Sequence, residues 1–198
     1  MDTLTNQASA PKEFSTRRVF LVSLISSLIL SALVAIFVFL IGNFGDTEVR
    51  LLLTTLTIGG YSLTGLCSSM LYDKNKYAGF AVLGIIVAVF GFLVTVGVIW
   101  EVFELDETWK AALIFMVLSF SIAHSSLLIL AKSTNALVNS LLSATIACIV
   151  VVAGMLILSI ATGFDDVFGE FYYRLLGVFA VLDVLGTIVV PILRRVKS

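Results

Sequence analysis

Apolar residues fall into six long runs, about 19–42, 50–72, 77–101, 110–131, 136–162 and 174–193, separated by short polar breaks. At a helical rise of about 1.5 Å per residue, each run is long enough to cross a hydrocarbon core of about 30 Å. The pattern predicts an all-α, polytopic membrane protein with six transmembrane helices. Residues 1–16 read as a flexible cytoplasmic arm, and residues 17–198 as a single six-helix transmembrane domain.

Polar positions inside the runs are periodic too, and they differ between even and odd runs. In the second run Arg50, Thr54, Thr57, Tyr61, Thr64 and Ser68 follow one another at spacings of 4, 3, 4, 3 and 4, so all six share one helical face. The fourth run gathers Ser121, His124 and Ser125 on one face. The sixth sets Ala180, Asp183, Gly186 and Thr187 against an apolar face of Val181, Leu185, Ile188 and Ile192. Lipid offers no hydrogen-bond partner, so these faces are expected to turn toward protein. Odd runs carry small residues instead: Gly84, Ala88, Gly91 and Thr95 in the third, and Ser140, Ala144, Ala147 and Gly154 in the fifth. Small side chains let helix backbones approach closely, so both stripes are expected to be packing surfaces.

Three of the breaks are alike. FGDTEVR (Phe44 to Arg50), ELDETWK (Glu104 to Lys110) and FDDVFGEFYYR (Phe164 to Arg174) each place acids ahead of a base that opens the next run. Even runs start at Arg50, Lys110 and Arg174 and end at Lys74, Lys132 and Arg194, while odd runs are nearly free of charge. Three tandem two-helix hairpins, about 17–75, 76–134 and 135–198, account for this pattern. Repeats with an even number of spans keep one orientation, so a pseudosymmetry axis is expected along the membrane normal. Acids at a helix start also suit its dipole, and Thr47 and Asp106 are candidate N-caps.

Composition agrees with the pattern and adds an orientation. The chain is 60% hydrophobic and 13% charged, against roughly a quarter charged in soluble domains, with a mean hydropathy of +1.12. Lys12, Arg17, Arg18, Lys74, Lys76, Lys132, Arg194, Arg195 and Lys197 fall on one side of a six-span topology; only Arg50, Lys110 and Arg174 fall on the other. By the positive-inside rule both termini are expected in the cytoplasm, with the chain in a plasma (inner) membrane. Most acids, including Asp46, Glu48, Glu101, Glu107 and Glu170, lie in or beside the external breaks as a solvated rim. The segment STRRVFLVS (Ser15 to Ser23) has the paired arginines of a twin-arginine export signal. The long run behind it, with no small-residue cleavage site, reads as a first span with cytoplasmic anchors.

Chemistry is sparse. Cys67 and Cys148 sit inside spans with no partner spacing, so neither a disulfide framework nor a metal site is expected. There is no nucleotide-binding glycine motif, no paired histidines at ligand spacing and no grouping of nucleophile, base and stabiliser. The expectation is therefore a non-enzyme without metal or cofactor. Its partners are the lipid bilayer and other membrane proteins or a second copy, not nucleic acid.

What remains is Asp183, an acid inside the last run. A mid-helix Asp costs about 2.5–3.5 kcal/mol to insert, while each Leu, Ile, Val or Phe offsets about 0.3–0.6 kcal/mol. Thirteen such residues between Leu175 and Leu193 carry the helix in despite the acid. Counted from the external bases, Tyr61 and Ser121 lie eleven residues in and Asp183 nine; Thr64 and His124 lie fourteen in and Thr187 thirteen. Two stacked mid-membrane layers are thus expected, Tyr61, Ser121 and Asp183 above Thr64, His124 and Thr187. Asp183 and His124, the sole histidine, are the candidate proton or cation site; Tyr61, Thr64, Ser121 and Thr187 are the candidate polar lining. Pro191 removes the helical partner of the Thr187 carbonyl and is a candidate kink. Two functions fit: a small proton- or cation-linked transporter or channel-like protein, or an accessory subunit or assembly factor of a larger membrane complex.

Overall fold

A computed structural model describes residues 16–41, 45–72, 77–102, 107–130, 132–133, 135–163 and 169–197. They form six helices: α1 (Thr16–Ile41), α2 (Asp46–Tyr72), α3 (Ala78–Ile99), α4 (Thr108–Leu130), α5 (Ala136–Ala161) and α6 (Glu170–Lys197). All six are long and apolar enough to cross a membrane, the build of a multi-pass membrane protein. The expected N-terminal arm lies outside the described residues, apart from Thr16, which opens α1; the candidate cap Asp106 also lies outside them.

Helix ends follow local chemistry. α2 opens with Asp46 and Glu48 in its first turn, where carboxylates favour the positive end of the helix dipole. Thr47, expected as a cap, lies within that turn, because the Gly45 carbonyl already accepts from the Val49 N–H (3.2 Å) and starts the helix earlier. At α5, Asn135 caps by accepting from the Leu137 N–H at 3.0 Å. α3 ends in a Schellman-type turn, with the Glu101 N–H on the Val98 carbonyl (3.1 Å) and the Val102 N–H on the Gly97 carbonyl (2.9 Å). This turn puts Glu101 at φ 51, a left-handed conformation unusual for a non-glycine residue. Its carboxylate pairs with Arg50 of α2 at 2.7 Å, which ties the two helix ends together.

Packing runs along the chain order, α1 on α2, α2 on α3 and α4, α3 on α4, α4 on α5, and α5 on α6. α2 is the hub: 44% of its span is buried, against 6% for α1 and 6% for α6. Small residues allow the close approaches. Gly59 and Gly65 of α2 press on Ser27 and Phe20 of α1, while Gly84 and Gly91 of α3 receive Ser68 and Tyr61 of α2. Gly186 of α6 lies against Thr145 of α5. Below it Val190 joins Val138 and Leu142 in a small apolar cluster. α6 runs unbroken through Pro191.

The two small-residue stripes have different fates. Gly84, Ala88, Gly91 and Thr95 are all buried within the bundle. Ser140, Ala144, Ala147 and Gly154 are all exposed, contrary to the expectation of a packing surface within the chain. α5 buries another face, through Val138, Leu142, Thr145, Ile149 and Ala153. The reason is that Gly186 supplies the close approach from the α6 side, so α5 can present the larger Thr145 there.

Filling these crossings tests the packing. Gly91→Ala drives a methyl into the Tyr61 ring and Gly186→Ala into Thr145, whereas Gly154 has nothing within 4 Å. Each of the first two is expected to cost about 1–3 kcal/mol, the usual range for overpacking. Gly154→Ala should leave stability unchanged, all three being read by reversible unfolding of the purified protein in detergent micelles.

Candidate functional site

α6 turns one face inward, and that face carries the site. Asp183, the adjacent pair Gly186 and Thr187, and Val190 follow at one-turn intervals and meet α4 and α5. Val181, Leu185, Ile188 and Ile192 on the opposite side are exposed. The Thr187 hydroxyl lies 2.7 Å from Nε2 of His124 on α4 and donates to the carbonyl of Asp183 at 2.8 Å, with the Asp183 Oδ1 at 3.5 Å. Nδ1 of His124 is 3.9 Å from Oδ2 of Asp183. The two side chains are 18% and 15% exposed, enclosed by protein but not sealed. Phe120, one turn from His124, presents edge-on to the imidazole at 6.1 Å between centroids.

About two turns beyond Thr187, Arg194 donates to the Leu130 carbonyl at the C-terminus of α4 (3.3 Å). α6 therefore meets α4 twice through polar side chains, once at His124 and once at Leu130. A basic group on the last carbonyls of a helix is favourable for the dipole as well as for the unpaired oxygen.

Of the residues expected in two stacked layers, only His124, Asp183 and Thr187 come together. Tyr61 shares a hydrogen bond with Thr95 of α3 at 2.9 Å, and its ring meets Phe92 edge-on at 6.5 Å. Thr64 is buried and donates to the Gly60 carbonyl of its own helix at 3.3 Å. Ser121 is half-buried, with no hydrogen bond to another helix among the described residues. Tyr61 and Thr64 stay apart from Asp183 because α2 does not pack on α6 to any extent among the described residues. Equal depth, which counting along the chain estimates, places residues at one level without placing them on adjacent helices.

The stripe on α2 instead faces α3 along much of its length. Arg50 meets Glu101, and Thr54 accepts from the Trp100 indole N–H at 3.1 Å. Lower down Tyr61 meets Gly91 and Thr95, and Ser68 fits against Gly84. Thr95 is a polar partner that its place in a small-residue stripe concealed; the signal was its position one turn from Gly91, where the Tyr61 ring lies. A further bridge, from the Ser62 hydroxyl to that of Ser23 on α1 (2.9 Å), had no sequence signal beyond a hydroxyl in each span. A crevice of about 180 Å³ between α1, α2 and α3, walled by Phe20, Ser23, Ile58, Ala88 and Phe92, is apolar and lies away from Asp183.

The chain matches no protein-family model, no curated protein and no solved structure, so the site is read from its own geometry. That geometry places a carboxylate and an imidazole side by side, joined through one hydroxyl, between two helices that reach each other by side chains.

Hydrogen bonds between helices in lipid are worth about 0.6 kcal/mol on average and at most about 1.7 kcal/mol. A double-mutant cycle of Tyr61→Phe and Thr95→Val should return a coupling in that range, measured as unfolding free energy. A coupling near zero would show that the two hydroxyls are satisfied independently.

Proposed function

We propose that the protein is a small proton- or cation-linked transporter or channel-like protein, with its ion site at Asp183 and His124. The observation that supports this is the carboxylate and imidazole held 3.9 Å apart inside the span and bridged by Thr187. An ionisable group costs several times more to keep inside a span than a Leu contributes, and such groups mark ion or proton pathways by default. In this reading the protein performs no covalent chemistry, and the Thr187 hydroxyl beside His124 serves to hold the imidazole.

In this reading the chain is oriented with both termini in the cytoplasm of a plasma (inner) membrane, and its three hairpins are tandem repeats. Two features support the repeat. Arg50 at the start of α2 sits by the turn that ends α3, and Lys110 near the start of α4 sits by Gly163, the turn that ends α5. Both turn residues have positive φ, 51 at Glu101 and 78 at Gly163.

A second reading, an accessory subunit or assembly factor of a larger membrane complex, is favoured by one observation. The α5 stripe of Ser140, Ala144, Ala147 and Gly154 has the character of a packing surface and faces outward, available to another membrane protein or a second copy.

Reconstitution into liposomes separates the two. Under the transport reading, Asp183→Asn lowers a pH- or cation-driven flux at least tenfold while thermal stability and yield stay near wild type. Under the accessory reading the wild-type protein carries no flux, and Gly154→Leu or Ala147→Leu disrupts co-purification with its partner.

A further inference from the structure

Thr187 constrains the chemistry of His124. A hydroxyl has one hydrogen, and a carbonyl can only accept. The Thr187 hydroxyl reaches both the Asp183 carbonyl (2.8 Å) and the His124 Nε2 (2.7 Å). With its hydrogen on the carbonyl, it offers the imidazole only lone pairs, and Nε2 is then the protonated nitrogen. Nδ1 is then the nitrogen free to gain or lose a proton, and it is the one that faces Asp183 Oδ2.

We infer that the ion bound at this site is the proton, held between His124 Nδ1 and the Asp183 carboxylate with the imidazole locked as its Nε2–H tautomer, and that metal cations are excluded. This deepens the transport reading above and rests on it for its functional meaning. The step is a simple protonation: a proton arriving at Nδ1 converts a neutral imidazole beside a carboxylate into an ion pair, and its departure restores the starting state. The 3.9 Å separation is longer than a hydrogen bond and within reach of an ion pair.

The oxygen count argues against a metal. Hard cations such as calcium and magnesium take about six or more oxygen ligands. The oxygens that the contacts of the pair bring together are the two of the Asp183 carboxylate and the Thr187 hydroxyl, the last already engaged by its neighbours. The Thr187 carbonyl, freed from helical pairing by Pro191, points along the helix toward Pro191 and away from Asp183. The imidazole is a ligand for transition metals. No group of three or more His, Cys, Asp or Glu residues that could hold such a metal occurs among the described residues.

Few other charges bear on the pair. α5, packed on both α4 and α6, carries no charged residue and only Cys148 as a titratable one; α3 carries neither. The buried part of α2 contributes Tyr61, bonded to Thr95, and Cys67. On α4 itself the other ionisable group is Lys110, at the opposite end and paired with Glu107. On α6 Arg174, toward its start, is paired with Glu170 at 2.6 Å, and Arg194, toward its end, is occupied at the Leu130 carbonyl.

Because His124 is the single histidine, labelling the full-length protein with ¹⁵N-histidine gives the signals of one imidazole. In lipid bilayers the Nε2–H signal should persist across the pH range while Nδ1 alone titrates, and exchanging sodium or potassium for a large organic cation should change neither. Asp183→Asn should move the Nδ1 resonance and keep the Nε2–H bond. Thr187→Val should instead release the tautomer, so that both nitrogens share the proton in the neutral state. An alkali-dependent shift of Nδ1, or titration at Nε2, overturns the inference. Liposome flux read on the same samples keeps the two ideas apart: no flux with the expected spectra sinks only the transport reading, while sodium or potassium flux without proton movement sinks the inference.

Discussion

A hydroxyl, imidazole or carboxylate in hydrocarbon has no water to turn to, and this single constraint organises the bundle. The longest polar stripe, on α2, meets it largely by facing α3, where Gly91 opens room for Tyr61 and Thr95, Trp100 and Glu101 supply partners; the Ser68 hydroxyl, fitted against Gly84, is buried without a hydrogen bond among the described residues. α2 becomes the hub because it also offers Gly59, Ser62 and Gly65 to α1. α6, with one polar face, finds its partners on α4 and α5. The hydrophobic effect inserts these helices without distinguishing one arrangement from another, so close packing and polar pairing carry the choice.

The Asp183 site follows the same rule with a different outcome. Tyr61 and Thr95 form a buried pair of neutral groups, which glues helices together. At α4 and α6 the pair is ionisable, partly accessible, and joined by a hydroxyl that fixes which imidazole nitrogen is free. Gly186 makes that arrangement possible, because its lack of a side chain lets α6 settle on Thr145 of α5 and brings Thr187 within reach of His124. Structure and chemistry are thus linked at adjacent positions, 186 and 187.

Much of this was legible before any fold. The six runs appear as six helices, with ends a few residues beyond or within the predicted ones, because length and hydropathy are local properties. The faces of α2 and α6 were legible for the same reason: a period of 3.6 residues sorts side chains to one side whatever they meet. The meeting of His124, Asp183 and Thr187 needed more, since it depends on α6 lying within side-chain reach of α4. The expected company of Tyr61, Thr64 and Ser121 is absent because depth was the only coordinate the chain supplied, and two helices at equal depth need not be neighbours. The α5 stripe shows the converse, since small residues state that close approach is possible without saying which chain approaches.

Sequence by itself determined six apolar helices, the side of each helix that carries polar groups, and the approximate depth of Asp183 and His124. These depend on helical periodicity and on the thickness of a bilayer. Only the tertiary structure decided that α2 turns its stripe to α3, that α4 and α6 share the imidazole and the carboxylate, and that Thr187 stands between them. Those choices depend on which helices pack side by side, and in lipid that is settled by small differences in packing and pairing spread over residues far apart in the chain.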